Sequence, residues 1–494
     1  MINNPYYILV AKVLGVIVMS VLLGRLTLNG FMVVLVLCGV MYAFSRKSGK
    51  AMLIYAIFPL FAIMNSQIFE RSGIYLLVSR VGMVLMAFCM ILNVSTRRGK
   101  ESIPLGSLYL YLLVAGFCSI FGYAPRVSWF KIINMSFFIG GILAGMSNLQ
   151  NRYADLILVR ATIMAIAIFI IVGSLMVVPF PSICYSTSID ATYIRTYGLE
   201  EAAAMMMQSG KTRLFGGITN QSQALSPIVA CLSGWLLCDM LFVERKFSLP
   251  HVVLLGISPV MLYMTRSRTG LLAYVVMLFV VLVYCAKKIR IPLRLKQRLR
   301  PMIQLGCILL FAGAIFSELK GGVMSNWIRK TSSEDTSLAE SVMYSRLGKI
   351  EENLRDFRRN PLFGSGFQVD YMSEHTIKTY GKGGWGMFSA PVEKSVAPVM
   401  ILGETGIIGA IVFVGVLFAF YGGCARNRYF VTMTLFTVFF ATNMAEATIF
   451  SPSGAGGIEW IICIVGGFTI DLFVKYYSQT AMARYVEVHN RREV

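Results

Sequence analysis

The chain has 494 residues, of which 56% are hydrophobic and only 14% are charged, and its mean hydropathy is +0.69. Water-soluble proteins carry about 25% charged residues, so this composition excludes a soluble enzyme or binding domain. The net charge of +21 would suit a nucleic-acid partner in a soluble protein. Here the basic residues form short clusters between apolar stretches, as in the cytoplasmic loops of membrane proteins, and we expect no nucleic-acid partner.

Apolar stretches that approach the length of a membrane-spanning helix, about 20 residues, recur along the whole chain. We therefore predict an all-α polytopic membrane protein with about 14 transmembrane helices and a long, partly helical periplasmic loop. The predicted spans are 7–23, 30–44, 51–69, 73–92, 105–123, 129–146, 154–178, 222–243, 250–264, 269–285, 302–318, 396–420, 429–447 and 456–475.

The basic clusters orient these spans. They follow the second, fourth, eighth, tenth and twelfth spans, and the densest lies at 287–300. Because cytoplasmic loops are the ones enriched in Lys and Arg, we expect both termini to be cytoplasmic. The chain then divides into N-terminal helices (1–178), an exported loop (179–221), four further helices (222–318), a large exported loop (319–395), three last helices (396–476) and a basic cytoplasmic tail (477–494).

The large exported loop contains a predicted helix followed by a tight turn. Residues 341–359 have the spacing of a helix that lies on the bundle or on the membrane surface. Its apolar face consists of Val342, Leu347, Ile350, Leu354 and Phe357. Asn360-Pro361 ends this helix, and NPLFGSGF at 360–367 is a turn in which Pro and Gly position the backbone closely.

Arginines fall on the exported side, where cations are disfavoured, and three of them lie in short segments that we single out. Arg213 lies just before the eighth span, in KTRLFGGITNQSQA, and Arg266 and Arg268 lie in the MTRSRTG turn between the ninth and tenth spans. The guanidinium fork matches phosphate oxygens, and a pyrophosphate is the anion most expected at this surface. The alternative is a set of helix-end arginines that reach lipid headgroups, and the spacing leaves both readings open.

The segment after Arg213 can also contribute to an anion site. Gly216 and Gly217 can bring backbone amides to an anion, with Asn220 or Ser222 capping the eighth span. An ordinary helix cap is the alternative.

Two residues of the exported side are candidate bases. Glu393 and Lys394 lie at the mouth of the twelfth span, and we predict a catalytic role for Glu393. His375 is the only histidine on the exported side and is the second candidate general base, although an exposed histidine without a role is the alternative. Glu404 lies inside the twelfth span, where an ionisable residue indicates function. The glycines of LGETGIIGA recur every three residues and indicate close packing, so we predict a structural hydrogen-bonding role for Glu404.

Four motifs in order resemble those of the O-antigen ligase and polymerase superfamily, which includes Wzy-type polymerases, O-antigen ligases and related oligosaccharyltransferases. RLFGGITNQSQA resembles the family's Arg-led helix start, and TRSRTGLLAY resembles its Ser-Arg-small turn. NPLFGSGF resembles its Pro-Leu-x-Gly-x-Gly turn, and GETGIIGA its Glu-x-Gly-x-x-Gly helix. The resemblance covers about residues 205–415.

The resemblance implies a glycosyltransferase of the bacterial inner membrane that uses an undecaprenyl-diphosphate-linked sugar donor, with no metal, cofactor or nucleotide sugar. Arg213 and Arg268 look like the cations that hold the donor diphosphate, and Arg266 is able to substitute. Ligases of the family typically carry a His-Asn pair where this chain has Glu393-Lys394-Ser395. This departure leaves the base open between Glu393 and His375, and it favours a polymerase over a ligase.

We therefore predict a polymerase that joins lipid-linked oligosaccharide repeats into a surface or exported polysaccharide. An O-antigen ligase, which transfers the finished glycan to a lipid A core, is the alternative with the same chemistry. A transporter or flippase of lipid-linked sugars is the alternative from another class, although matching halves are not evident in the sequence. The expected partners are the lipid-linked oligosaccharide, membrane lipids and, as further candidates, a chain-length regulator or a flippase.

Overall fold

The computed structural model describes residues 5–26, 28–65, 68, 73–94, 104–149, 153–184, 215–265, 267–285, 350–369, 396–444, 447–452 and 454–475. Within these ranges the chain forms helices joined by turns, and its one strand-like contact is an isolated bridge between Met64 and Thr219.

The helices follow one another in chain order. The first group is α1 (Pro5–Leu26), α2 (Leu28–Phe44), α3 (Ser48–Ile63), α4 (Gly73–Leu92), α5 (Gly106–Ile120), α6 (Pro125–Leu149), α7 (Tyr153–Met176) and the single turn α8 (Pro181–Cys184). The second group is α9 (Ser222–Cys238), α10 (Leu249–Met264), α11 (Arg268–Phe279), α12 (Ala397–Arg426), α13 (Phe430–Asn443) and α14 (Ala455–Trp460). Three of these helices continue as π-helical segments, α9 through Asp239–Glu244, α11 through Val280–Cys285 and α14 through Ile461–Gly466. A further helix at 350–359, which we call the loop helix, precedes α12.

The helix lengths confirm an all-helical, polytopic membrane protein. Six of the described helices are long and apolar enough to cross a membrane, and seven shorter apolar helices accompany them. Each of these helices overlaps one predicted span, whereas the predicted span at 302–318 lies outside the described residues. The total of fourteen spans, the orientation and the division into domains remain predictions.

The helices α9 and α14 lie at the centre of the bundle. In the continuous helices that they begin, Ser222–Glu244 and Ala455–Lys475, 94% of the membrane-length window is buried, against 33% in α1 and 28% in α12. The two central helices pack closely, since a Cβ at Gly466 would lie 2.6 Å from the Trp235 ring. Helix α9 runs from Ser222 to Asp239 and beyond, and we call the end of the bundle near Ser222 the motif end and the end near Asp239 the far end.

A buried ion cluster joins four helices at the far end. Arg160 on α7 donates to both carboxylate oxygens of Asp239, over 2.7 and 2.9 Å, and also contacts Glu244. Nε2 of His251 on α10 lies 2.8 Å from Asp239, and the Arg160 guanidinium lies 4.1 Å from the centre of the Tyr6 ring on α1. Buried charges are tolerated only when they are paired and hydrogen-bonded, and this cluster satisfies that condition.

Removing one charge of this cluster should destabilise the protein more than removing two. We expect Arg160→Met to leave the Asp239 carboxylate buried without its bidentate partner, at a cost of about 3–5 kcal/mol. The double variant Arg160→Met, Asp239→Leu removes both charges and should recover part of the loss. The measurement is the thermal unfolding midpoint of the detergent-solubilised protein. A double variant that is less stable than Arg160→Met would contradict this account.

Candidate functional site

The described residues cover only part of the predicted site. Arg213, Arg266, His375, Glu393 and Lys394 lie outside the described residues, and Arg268 is described by its backbone alone. Asn220 and Glu404 are described in full. The structure therefore gives the scaffold that carries the predicted side chains, and the roles of those side chains remain predictions.

The segment that follows Arg213 is anchored to the C-terminal end of α3. The backbone N–H of Asn220 donates to the carbonyl of Ile63 over 2.8 Å, and the N–H of Asn65 donates to the carbonyl of Ile218 over 2.9 Å. These antiparallel contacts hold 218–220 against the end of α3, just ahead of α9. They fix the backbone of the first motif at the motif end.

The expected cap of α9 is not formed. Gln221 occupies the capping position with extended backbone (φ −161°, ψ 154°), and its side chain makes no capping hydrogen bond. Asn220 lies one residue further out, where its backbone is bound to α3. Neither Asn220 nor Ser222 therefore caps the helix, because pairing with α3 sets the backbone at this point.

The second motif lies against the first turns of α9. Ser267 caps α11 by accepting a hydrogen bond from the Gly270 N–H over 3.3 Å, and its Oγ lies 2.6 Å from Oγ of Ser226 on α9. A Cβ at Gly270 would overlap the Ser226 hydroxyl, so this approach requires glycine. Arg268 is the first residue of α11. The second arginine motif therefore contacts α9 two residues after the end of the first motif, through this pair of serine hydroxyls.

The fourth motif contains a break in α12. Gly406 has φ 63° and ψ −165°, which interrupts the helix. The whole of α12 has 30 residues, which corresponds to about 45 Å at 1.5 Å per residue, more than the hydrocarbon core of about 30 Å. Residues 407–426 alone have the length of a span. Glu404 thus lies in the short piece that precedes the break.

The third motif fills this break. We call residues 360–369 the docking turn. Three backbone hydrogen bonds of 2.9 Å join it to α12: from the Ser365 N–H to the Gly403 carbonyl, from the Gly366 N–H to the Glu404 carbonyl, and from the Ile407 N–H to the Pro361 carbonyl. In an unbroken helix the Gly403 carbonyl would accept from the Ile407 N–H. The docking turn therefore takes the place of the missing helical partners.

Glycine makes this close approach possible. Gly364 has φ 73° and a Cβ on it would overlap the backbone of Glu404, while a Cβ on Gly406 would overlap the carbonyl of Leu362. A Cβ on Gly403 would lie 2.7 Å from the carbonyl oxygen of Asn353 on the loop helix. The glycine spacing thus marks close packing, but the partners of Gly403 and Gly406 are the loop helix and the docking turn and not another span.

The docking turn is also bound to the start of the α5–α6 connection. The Phe367 N–H donates to Oγ of Ser119 over 2.9 Å, and the Tyr123 N–H donates to the Ser365 carbonyl over 2.9 Å. Phe367 is fully buried. The turn is therefore fixed between α5 and α12.

Lys131 is a residue of this region that the sequence analysis missed. Its Nζ on α6 donates to the carbonyl of Gln368 over 2.6 Å, and the Gln368 side chain donates to the carbonyl of Phe450. Lys131 lies near the motif end of α6, so the topology argument that singled out the arginines would have identified it as well. It links α6, the docking turn and the segment between α13 and α14.

The start of α14 contacts both α3, which anchors the first motif, and the segment that binds the docking turn. A Cβ at Gly457 would lie 2.9 Å from Pro59 on α3, the helix that anchors the first motif. On the other side, Phe450 binds the docking turn through Gln368. The carboxylate of Glu459 accepts from the Thr448 hydroxyl over 2.8 Å and stabilises the intervening segment. All four motifs therefore share the motif end.

The described part of the loop helix corrects the predicted apolar face. Its most buried side chains are Asn353 and Asp356, at 3% and 1% exposure. Ile350, Leu354 and Phe357 are half-buried. The helix turns polar residues inward because it packs on the α12 backbone at Gly403, where small polar side chains fit.

Glu404 is enclosed at the centre of this junction. Its side chain is fully buried, and Tyr111 on α5 lies close enough for an electrostatic interaction between the two side chains. Its backbone carbonyl binds the docking turn. The backbone of Glu404 therefore takes part in a structural hydrogen bond. The predicted structural hydrogen-bonding role of its carboxylate remains a prediction.

A side chain at Gly364 should separate the docking turn from α12. We expect Gly364→Ala to lower the stability of the protein by about 1–3 kcal/mol from backbone strain, with a further loss from the overlap with Glu404. The matched control is Gly415→Ala on α12, where a Cβ meets no atom within 4 Å. Thermal midpoints in detergent measure both, and equal midpoints would contradict the assigned packing.

The comparisons with known proteins agree with this geometry. Residues 251–414 match the family model described as O-antigen ligase, and this range contains the second, third and fourth motifs. The comparison with curated proteins finds no match to the chain. Members of the matching family are glycosyltransferase-like enzymes that act on lipid-linked glycans. Over 251–414 the chain is therefore similar to the O-antigen ligase family, which supports its resemblance to the O-antigen ligase/polymerase superfamily.

Proposed function

We propose that the protein is a polymerase that joins undecaprenyl-diphosphate-linked oligosaccharide repeats into a surface or exported polysaccharide at the periplasmic face of the bacterial inner membrane. The observation that carries the proposal is the contact between Ser226 and Ser267 over 2.6 Å. It joins the helix that follows the first arginine motif to the cap of the helix that begins at Arg268.

Arginine is the side chain that this chemistry requires. In the proposal, Arg213 and Arg268 hold the diphosphate of the donor lipid, and Arg266 can substitute. A guanidinium presents paired N–H donors that match phosphate oxygens, and fixed positive charge stabilises the diphosphate as it leaves. The proposal requires no metal and no cofactor, because the arginines supply the charge compensation.

The transfer step consists of one substitution at carbon. A hydroxyl of the acceptor glycan attacks the anomeric carbon of the donor, the new C–O bond forms, and the bond from that carbon to the diphosphate oxygen breaks. The hydroxyl proton passes to a base, for which Glu393 is the first candidate and His375 the second. Lys394, Asn220 and Glu404 are proposed to support the site.

An O-antigen ligase is the second candidate function. The description of the matching family model favours it, whereas Glu393-Lys394-Ser395, in the place of the family's His-Asn pair, favours the polymerase. Both candidates use the same donor and the same arginines. The family match gives no support to a transporter or flippase.

Removal of the Arg268 guanidinium should abolish transfer without unfolding the protein. We expect Arg268→Ala to lower product formation by about 10²–10³-fold, as loss of one charge-stabilising group does in other enzymes. Arg268→Lys keeps the charge but loses the fork, so it should retain partial activity. The measurement is polymer formed in a deletion strain that carries each variant at equal membrane abundance.

The matched control is Arg426→Ala. Arg426 is an exposed arginine in the last turn of α12, which starts at the motif end and leads away from it. It should support normal polymer levels. Near-normal polymer levels from both Arg268→Ala and Arg213→Ala would contradict the proposal that these arginines hold the donor diphosphate.

The glycan profile of the deletion strain separates the candidate functions. Loss of polymer with accumulation of single lipid-linked repeats on the periplasmic face identifies a polymerase. Long lipid-linked polymer that never reaches its final acceptor identifies a ligase instead. Single repeats confined to the cytoplasmic face would contradict both enzyme assignments.

A further inference from the structure

The junction between the docking turn and α12 contains a matched exchange of hydrogen bonds. In an unbroken helix, the carbonyls of Gly403 and Glu404 would accept from the N–H groups four residues later, at Ile407 and Ile408. Here they accept from Ser365 and Gly366 of the docking turn. The turn has thus replaced two donors of the helix with two of its own.

This exchange couples the position of the turn to the shape of α12. Backbone carbonyls in an apolar environment must keep a hydrogen-bond partner. If the turn leaves, the carbonyls of Gly403 and Glu404 can regain partners only when α12 becomes continuous. That change needs Gly406 to move from φ 63° to a helical φ, and glycine occupies both regions with little difference in energy.

The turn has a pivot and a movable part. Phe367 is fully buried, with ring centres of Tyr111 and Phe450 at 6.4 and 5.2 Å, and would remain in place. Leu362, by contrast, is 55% exposed. Phe363 holds the outer part by stacking on Phe121, with 4.4 Å between ring centres, and Phe121 is itself 52% exposed. Release of 360–366 would expose the buried residues Gly364, Ser365 and Gly366, while Phe367 would keep its place in the core.

We propose that residues 360–366 and α12 form a two-state hinge. In the docked state the turn is bound and α12 is broken at Gly406. In the released state the turn is free of α12 and the helix is continuous. The hinge rests on the proposed function, because we assign one cycle of release and docking to each glycan transfer, when a bulky polymer must leave and a new acceptor must enter.

A reversible cross-link between the turn and α5 tests this hinge. The variant carries Phe121→Cys and Phe363→Cys, which replace the two stacked rings, and it is assayed in membranes with a lipid-linked oligosaccharide substrate. We expect oxidation to form a disulfide between the two positions and to lower the rate of glycan transfer at least tenfold. Reduction of the same sample should restore the rate.

The controls are Phe121→Cys alone and Phe363→Cys alone. Both retain the native cysteines and receive the same oxidant. Their rates should not depend on oxidation. Full activity of the oxidised double variant would overturn the hinge, because the turn would then have no need to leave α12. If the two cysteines do not form a direct disulfide, a bifunctional thiol reagent replaces the oxidant, and absence of a cross-link with both treatments would overturn the docked state.

A second variant tests the helix side of the same exchange. We expect Gly406→Ala, which disfavours the positive φ of the break, to shift the hinge to the released state and to lower the yield of the cross-link in the double-cysteine background. An unchanged cross-link yield would contradict the coupling. If Gly406→Ala does not fold, oxidation and reduction of the double-cysteine variant that retains Gly406 still decide the proposal. Absence of transfer in the wild type and in the reduced variant would instead refute the proposed function.

Discussion

The need to pair every backbone N–H and carbonyl away from water governs this structure. Inside one helix the pairing is automatic, but a break exposes groups that only another segment can satisfy. At Gly406 that segment is the docking turn. Two motifs that lie about 40 residues apart in sequence are therefore one structural unit, because each supplies the hydrogen bonds that the other lacks. The docking turn is attached to the bundle by backbone contacts that few side-chain substitutions can alter.

The same constraint shapes the other half of the motif end. The non-helical piece ahead of α9 pairs with the end of α3 through Asn220 and Ile63. At the far end, the same helix continues to Asp239, which accepts two hydrogen bonds from Arg160. One central helix is thus held at both ends, by backbone pairing at the first and by buried charge at the second. Its position relative to α11 follows, since Ser226 contacts Ser267.

The sequence predicted the helices well because apolar length is a local property. Each described apolar helix overlaps a predicted span, and the glycine spacing in LGETGIIGA correctly indicated close packing. What the sequence could not provide was the partner of each contact. Lys131 and the Asp239–Arg160 pair depend on which helices become neighbours, and that information is spread over the whole chain. The missed cap of α9 has the same cause, because pairing with α3 overrides the local preference for a polar cap at Asn220.

The scaffold consists of two parts with different partners. The arginine motifs are attached to α3, α9 and α11, whereas the docking turn is attached to α5, α6 and α12. The start of α14 touches both, through Gly457 and through the segment that contains Phe450. The reaction proposed above, between two large lipid-linked glycans, would need fixed charge at the diphosphate and free passage for the growing chain. Separate attachment meets both needs. In the proposed hinge, residues 360–366 leave α12 as Gly406 changes its φ, while the arginine motifs stay bound to the core.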